Sequence, residues 1–166
     1  MEPAGYDPRV LKGMGLSYAT SGRGACHLRT TFYKPELAGT IDPASTSTDK
    51  VQLLMDYEDR LTIYDCLILC KFYRDLVLWD QLTDLIHVTT GLQLTEADLR
   101  SAANRITREV WEFNYSAGLL PQGDSLPRRF LEEPINDKSD VLPPGQLQDM
   151  ITDYYRLRGL PGYDPR

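Results

Sequence analysis

Thr95-Glu96-Ala97-Asp98 begins the segment that decides the fold class. Threonine is a favoured residue at a helix N-terminus, and an acidic residue three positions later completes a capping box. Beyond this signal, apolar residues recur every three or four positions until Gly118. They are Leu99, Ala102, Ala103, Ile106, Val110 and Phe113. The segment therefore predicts a long amphipathic helix with a continuous apolar face.

The rest of the chain also favours helices over strands. Apolar residues at helical spacing predict further helices over 49–61, 62–73, 76–90 and 145–158. The segment 11–24 is rich in glycine, which costs an isolated helix about 1 kcal/mol per residue and indicates close contact with a partner element or a cofactor. No stretch shows a sustained two-residue alternation. We therefore expect an all-α fold, a helical bundle with long irregular connections, in a single domain over 1–166.

Composition and charge exclude several classes of protein. With 166 residues, 42% of them hydrophobic and 25% charged, the chain resembles an ordinary soluble globular domain. The net charge of −6 and the scattered basic residues argue against a nucleic-acid surface. We expect no membrane span and no signal peptide, and three cysteines fit a reducing compartment, so we expect a cytoplasmic protein.

The pentapeptide Gly-Tyr-Asp-Pro-Arg occurs twice, at 5–9 and at 162–166. A structural repeat requires a larger unit at a regular period, so we expect two independent Asp-Pro turns. The second copy ends the chain in the middle of a loop, which suggests a truncation.

Cysteine and histidine residues are the candidates for chemistry. Cys66 and Cys70 lie four residues apart in the predicted 62–73 helix and would project from one face. They would be either buried small apolar residues, which the residue type favours, or metal ligands. A zinc site would add Cys26 and His27 if the fold brought the two segments together. His87 is expected to be a packed or half-exposed histidine. His27 follows a glycine-containing segment that permits close approach, and its side chain is suited to move protons near neutral pH.

Several blocks of the sequence resemble one enzyme family. The blocks include Arg23-Gly24-Ala25-Cys26-His27-Leu28-Arg29 within 5–29, Asp65-Cys66-Leu67-Ile68-Leu69-Cys70-Lys71-Phe72, Phe113-Asn114, Leu126-Pro127-Arg128-Arg129-Phe130 within 126–134, and Tyr154-Tyr155-Arg156-Leu157-Arg158-Gly159. In this order they are similar to the carboxy-terminal region, which is helical, of the tungsten-containing aldehyde ferredoxin oxidoreductase family. In that family, a tungsten ion held by two pterins (a tungstopterin, or a molybdenum equivalent) lies beside a 4Fe-4S cluster. Aldehydes are oxidised to carboxylic acids, and the electrons leave to ferredoxin.

The resemblance implies a role for five residues. Cys70 would be the fourth thiolate ligand of the 4Fe-4S cluster. Asp65 would accept hydrogen bonds from a pterin ring, and Leu69 would contact the same pterin through its backbone. Arg29 is a candidate for binding a nearby anionic group, and His27 would exchange a proton during oxidation of the aldehyde. Cys26 and Cys66 receive no role and are interpreted as structural.

The sequence departs from the family pattern at two places. Ile68 stands where the pterin motif usually has glycine, and Ser116-Ala117 follow Phe113-Asn114 and Tyr115 where the family tends to carry a charged pair. The chain also lacks the amino-terminal pterin-binding domain and the other three cluster cysteines. We therefore expect part of an active site, inactive alone and completed by a missing amino-terminal part or a separate subunit. The alternatives are a non-catalytic helical interaction subunit of the same ancestry and a small zinc-stabilised helical domain.

Overall fold

The computed structural model describes residues 4–135 and 140–161, and over these residues it contains helices and no strand. The helices are α1 (Lys12–Ala19), α2 (Tyr33–Leu37), α3 (Thr48–Cys66), α4 (Trp79–Thr90), α5 (Glu96–Ser116), α6 (Arg128–Glu132) and α7 (Pro144–Arg158). Two short 3₁₀ turns, Lys71–Tyr73 and Pro121–Gly123, lie in the connections. The all-α prediction is confirmed. The second pentapeptide copy, at 162–166, lies outside the described residues.

The start of α5 agrees with the sequence prediction. The Thr95 hydroxyl accepts the N–H of Asp98 at 3.2 Å, and the Asp98 carboxylate accepts the N–H of Thr95 at 2.8 Å. These two bonds satisfy donors that a helix N-terminus would otherwise leave unpaired. The predicted helix over 145–158 is also confirmed, as α7, and α4 ends before Gly91 as expected.

The apolar face predicted for α5 is buried only in part. Leu99 and Ala103 are buried, whereas Val110 and Phe113, two turns further on, are 48% and 74% exposed. In the second half of the helix, Thr107 is buried and Trp111 packs against the core, so burial there is partial.

The prediction of separate helices over 49–61 and 62–73 is also wrong. A single helix, α3, runs from Thr48 to Cys66, since neither glycine nor proline interrupts the hydrogen-bond ladder at Leu61-Thr62. It ends instead at Cys66, after which the chain turns and forms the 3₁₀ turn Lys71–Tyr73. The different end point matters because the candidate residues 65–70 lie on this turn.

The glycines of α1 allow close packing. A Cβ atom on Gly13 would lie 2.4 Å from the Phe32 ring, and one on Gly15 would lie 2.6 Å from the side chain of Leu142. Both distances are far below a van der Waals contact. The sequence left two partners open for these glycines, a neighbouring element or a cofactor. The structure shows that Gly13 and Gly15 pack against neighbouring elements of the fold.

Helix α3 is central, and it packs against α1, α5 and α7. One apolar cluster fills the space around α1, the first half of α3 and α7, and it includes Met14, Leu16, Val51, Leu54, Met150 and Ile151. A second cluster joins the second half of α3 to α4 and α5, and it includes Leu61, Tyr64, Leu82, Ile86, Leu99 and Ala103. None of the described helices combines the length and apolar character that a bilayer-spanning helix requires.

A buried group of charges joins α3 to α7. Arg158 donates to Glu58 at 2.7 Å and to Asp59 at 2.5 Å, and the Tyr154 hydroxyl donates to Glu58 at 2.7 Å. Burial raises the pKa of Glu58, but the positive charges of Arg158 and Arg29 outweigh burial and lower the pKa below its ordinary value. The carboxylate is therefore charged and compensated. We call Arg29, Glu58, Asp59, Tyr154 and Arg158 the buried charge network.

Candidate functional site

The turn after α3 carries three of the candidate residues and has an unusual backbone. Ile68 adopts φ = 58°, in the left-handed region. Its N–H bonds the Asp65 carbonyl at 3.2 Å, and the Leu69 N–H bonds the Tyr64 carbonyl at 2.9 Å. This pair of bonds defines a Schellman motif, whose left-handed position is usually glycine. A β-branched residue there is strained, so the glycine expected from the family pattern at Ile68 has a clear geometric reason.

The Asp65 carboxylate lies on this turn between two cations. The Lys71 ammonium is 2.9 Å from the carboxylate, and the Arg23 guanidinium is 3.4 Å from it. The Asp65 side chain remains 40% exposed. It is thus held by charge while it keeps an accessible side from which it can accept further hydrogen bonds.

His27 lies in the loop before α2 among aromatic rings. Its ring centroid is 5.6 Å from that of Tyr6 and 6.1 Å from that of Tyr33, both in edge-on geometry. The ring also packs against Gly5, where a Cβ atom would be 3.2 Å from His27 Nδ1. Four residues on, fully buried Thr31 adopts φ = 52° and its N–H bonds the His27 carbonyl at 3.0 Å. These contacts hold the imidazole on one side.

Backbone strain is concentrated at these two segments. Within the described ranges, Thr31 and Ile68 are the non-glycine residues with a positive φ. One lies four residues after His27, and the other lies between Asp65 and Cys70. Strained residues of this kind cost about 1–3 kcal/mol each and cluster at functional sites. Their positions therefore single out the same two segments that the sequence motifs singled out.

Arg29 is placed differently from the other candidates. Its guanidinium contacts Glu58 at 3.2 Å and the hydroxyls of Thr62 and Thr107 at 3.1 and 3.5 Å. It is a member of the buried charge network, and only 17% of its side chain is exposed. The same residue also lines a cleft beside α5.

The cysteines are more accessible than the sequence suggested. Cys66 and Cys70 are both exposed, and Cys26 is half-buried. The interpretation of Cys66 and Cys70 as buried small residues is wrong, and so is their predicted i, i+4 placement on one helix, because α3 ends at Cys66. In residues 4–135 and 140–161 no three Cys, His, Asp or Glu side chains converge as metal ligands. The zinc site of Cys26, His27, Cys66 and Cys70 is therefore not assembled. His87, expected to be packed or half-exposed, is exposed on α4.

The cleft, of about 1040 Å³, opens between α5, the loop around Gly22 and the segment 118–127. Its walls include Arg23 and Arg29. Asp124 also lines it and accepts a hydrogen bond from Tyr155 at 2.7 Å. Burial raises the pKa of Asp124 to about 6, although the Tyr155 hydrogen bond opposes the shift. The cleft thus contains a carboxyl group that changes charge near neutral pH, and no sequence motif pointed to it.

An exposed apolar surface follows the 65–70 turn. Ile68 is 92% exposed, Phe72 85% and Leu76 71%. Three large apolar side chains so exposed within nine residues are unusual for a segment that faces only water. This surface is adjacent in sequence to Cys70 and was not predicted, since the apolar run was taken for helix core.

Comparison with known proteins finds one family whose sequences match this chain. The family model described as "Aldehyde ferredoxin oxidoreductase, domains 2 & 3" matches residues 1–163. The chain is similar to the tungsten-containing aldehyde ferredoxin oxidoreductases of Pyrococcus furiosus, with 36% identity over 163 residues, and of Thermococcus kodakarensis, with 35% identity over 163 residues. In each case the match covers 96% of this chain and 27% of the relative. The corresponding protein of Pyrococcus horikoshii is 35% identical over 158 residues, which are 93% of this chain and 26% of that relative. The chain thus spans about a quarter of the length of these relatives.

Proposed function

Since the chain belongs to the aldehyde ferredoxin oxidoreductase family, as the match over residues 1–163 establishes, we propose that it is the carboxy-terminal part of an enzyme that oxidises aldehydes to carboxylic acids. Oxidation of one aldehyde adds one oxygen atom from water and releases two electrons and two protons. The electrons would pass through a 4Fe-4S cluster to ferredoxin. Because the chain spans 27% of a relative such as that of Pyrococcus furiosus, we propose that it is inactive alone and acts together with further polypeptide, in the cytoplasm.

The observation that carries this proposal is the backbone at 65–70. The turn keeps its left-handed position at residue 68 even though isoleucine is strained there. It also leaves Cys70 exposed and Asp65 partly exposed, as ligands for groups outside this chain would need to be. This geometry supports the proposal that the turn binds a cofactor. It gives less support to the view that the turn only ends a helix.

The residues present fit the expected groups in part. A 4Fe-4S cluster takes four thiolates, and Cys70 would supply one of them, so three would come from polypeptide beyond residues 1–166. Asp65 would accept N–H donors of a pterin ring through its exposed side. The Leu69 N–H is already bonded to the Tyr64 carbonyl at 2.9 Å, so Leu69 would contact the pterin through its carbonyl. When bound, tungsten with two pterins, or its molybdenum equivalent, would supply the chemistry of oxygen-atom transfer and of electron transfer.

His27 and Arg29 would act from the protein side. The imidazole of His27, held by Gly5 and its aromatic neighbours, would take up and release a proton as the aldehyde is oxidised. Arg29 would contribute positive charge to the cleft, although its hydrogen bonds to Glu58 and Thr62 fix it within the buried charge network. Its effect on an anionic group would therefore be electrostatic more than through direct contact.

Cysteine substitution in the intact enzyme that contains this chain tests the proposal. Cys70→Ser should lower the cluster iron content at least several-fold and abolish electron transfer to ferredoxin, because serine replaces a thiolate ligand. Cys66→Ser is the matched control, since Cys66 is also exposed and lies four residues away. It should leave iron content unchanged. Iron and tungsten analysis after gel filtration measures both, and retention of all iron in Cys70→Ser would exclude the ligand assignment.

A non-catalytic interaction subunit is the second candidate. The exposed apolar surface at Ile68, Phe72 and Leu76 favours contact with another protein whether or not a reaction occurs. The two candidates differ in the expected effect of His27→Ala. It should abolish aldehyde oxidation by the intact enzyme if His27 exchanges the proton, and it should have no effect if the chain only binds a partner.

A further inference from the structure

One ammonium group contacts both candidate segments, which the Arg23–Asp65 ion pair also joins. Lys71 Nζ donates to the Leu28 carbonyl at 3.1 Å and contacts the Asp65 carboxylate at 2.9 Å. Leu28 directly follows His27, and it is 43 residues from Lys71 in the sequence. Lys71 in turn directly follows Cys70. A single side chain therefore contacts the loop of the proposed proton-transfer residue and the turn of the proposed cofactor ligands.

Lys71 is itself held in place. Only 14% of its side chain is exposed, so its aliphatic part is packed although its ammonium is charged. Its backbone carbonyl accepts a hydrogen bond from Arg74 Nη1 at 2.7 Å. Arg74 is buried, and its Nη2 donates to the Tyr33 hydroxyl at 3.1 Å. Because the Tyr33 ring lies 6.1 Å from the His27 ring, this second connection joins the same two segments from the buried side.

A third connection is an ion pair between residues that follow these two segments, and it contacts no candidate residue. Lys34, in α2, pairs with Asp75, just after the 3₁₀ turn, and both side chains are well exposed at 35% and 51%. Exposed ion pairs contribute little to stability. The Lys34–Asp75 pair is therefore a suitable comparison, because it joins residues that follow the two segments but leaves Asp65 and the Leu28 carbonyl untouched.

We propose that Lys71 is a positioning residue, which fixes the distance between His27 and the cofactor-binding turn 65–70 and orients the Asp65 carboxylate. This inference rests on the function proposed above. Lys71 would not exchange a proton or bind the aldehyde. It would act through Asp65 and through the backbone at Leu28. Because a displacement of about 1 Å between reacting groups can reduce a rate about 100-fold, loss of this connection should affect the reaction more than it affects folding.

The test compares Lys71→Met, Lys71→Arg and Lys34→Met in the intact enzyme that contains this chain. Methionine keeps the packed aliphatic part of Lys71 and removes both ammonium contacts. Lys71→Met should lower kcat about 10- to 100-fold with little change in KM for the aldehyde. It should also increase amide hydrogen exchange in 23–30 and in 65–71 while exchange in α7 stays unchanged, which shows that the fold is intact. Lys71→Arg should restore most of kcat and of the exchange protection, and Lys34→Met should match the unaltered enzyme.

Two results would overturn the positioning role. One is an unchanged kcat and unchanged exchange in Lys71→Met. The other is an equal loss in Lys71→Met and Lys71→Arg accompanied by increased exchange in α7, which would mean that Lys71 serves the stability of the fold. Neither result would bear on the proposed enzyme function, which other variants test. Full iron content in Cys70→Ser together with full activity in His27→Ala would exclude the enzyme role whatever Lys71 does.

Discussion

At the scale of single residues, Ile68 determines how the candidate turn is held. Its left-handed backbone, φ = 58°, is costly for a β-branched side chain, and its side chain is 92% exposed and so contributes little packing within this chain. Ile68→Gly should therefore raise the free energy of unfolding by about 1 kcal/mol, because glycine adopts this conformation without strain. Urea denaturation of the two proteins measures the difference.

Gly118 provides the matched control for Ile68. It occupies the equivalent position after α5, with φ = 93°, and a Cβ atom added there would meet nothing within 4 Å. As at Ile68, the next residue closes the turn, since the Leu119 N–H bonds the Asn114 carbonyl at 3.0 Å. Gly118→Ala should lower stability by about 1 kcal/mol. A destabilising Ile68→Gly would contradict the strain argument and would mean that the isoleucine side chain is packed against another polypeptide.

At the scale of elements, the contact between α1 and Phe32 depends on the absence of a side chain at Gly13. Gly13→Ala should destabilise the protein by about 1–3 kcal/mol, because the new Cβ atom would lie 2.4 Å from the Phe32 ring. Gly145→Ala in the first turn of α7 is the control. A Cβ atom there meets nothing within 4 Å, and alanine favours the helix. Thermal unfolding measures both variants, and an equal response from the two would contradict the close-packing interpretation.

Local signals account for the elements that the sequence predicted well. Thr95 with Asp98, and Gly91 after α4, define helix ends through hydrogen bonds within a few residues, so their effect is readable from spacing alone. The end of α3 was missed, because Ile68 is not a residue that normally occupies a left-handed position. Only the bonds made around it within the fold reveal that the helix stops at Cys66.

The sequence could nominate candidate site residues but could not predict their arrangement. Motif resemblance selected His27, Asp65 and Cys70, and their roles remain predictions. The connection between the segments depends on Lys71 and the Leu28 carbonyl, 43 residues apart. No periodicity in a single sequence encodes a contact of that kind. Asp124 was missed for the same reason, since its pKa depends on burial in the folded cleft.

At the scale of the whole molecule, the buried charge network joins α3 to α7 beside the apolar cluster that packs between them. Arg158 is fully buried and bonds both Glu58 and Asp59. Arg158→Met should destabilise the protein by roughly 3–5 kcal/mol, because it leaves buried carboxylates without their partner. Chemical denaturation with circular dichroism detection measures this loss.

Arg156→Met is the control for this network. Arg156 lies on the same helix and pairs with Asp153 at 2.9 Å, but 59% of its side chain is exposed. The variant should change stability by less than about 1 kcal/mol. If both arginine variants lost the same small amount, the carboxylates of α3 would have to find other compensation, and the network would not be what joins the two helices.

The same network has a consequence for the order in which the protein forms during synthesis. Glu58 and Arg158 are separated by 100 residues, and a ribosome releases the chain from its amino terminus. Helix α3 therefore emerges before Arg158 exists, although Arg29, which also pairs with Glu58, has already been translated. Closure of α7 onto α3 has to wait until nearly the whole region has been translated. Contacts this distant in sequence slow folding, so we expect the apolar residues of α1 and α3 that pack against α7 to stay uncovered in the nascent chain until Arg158 arrives.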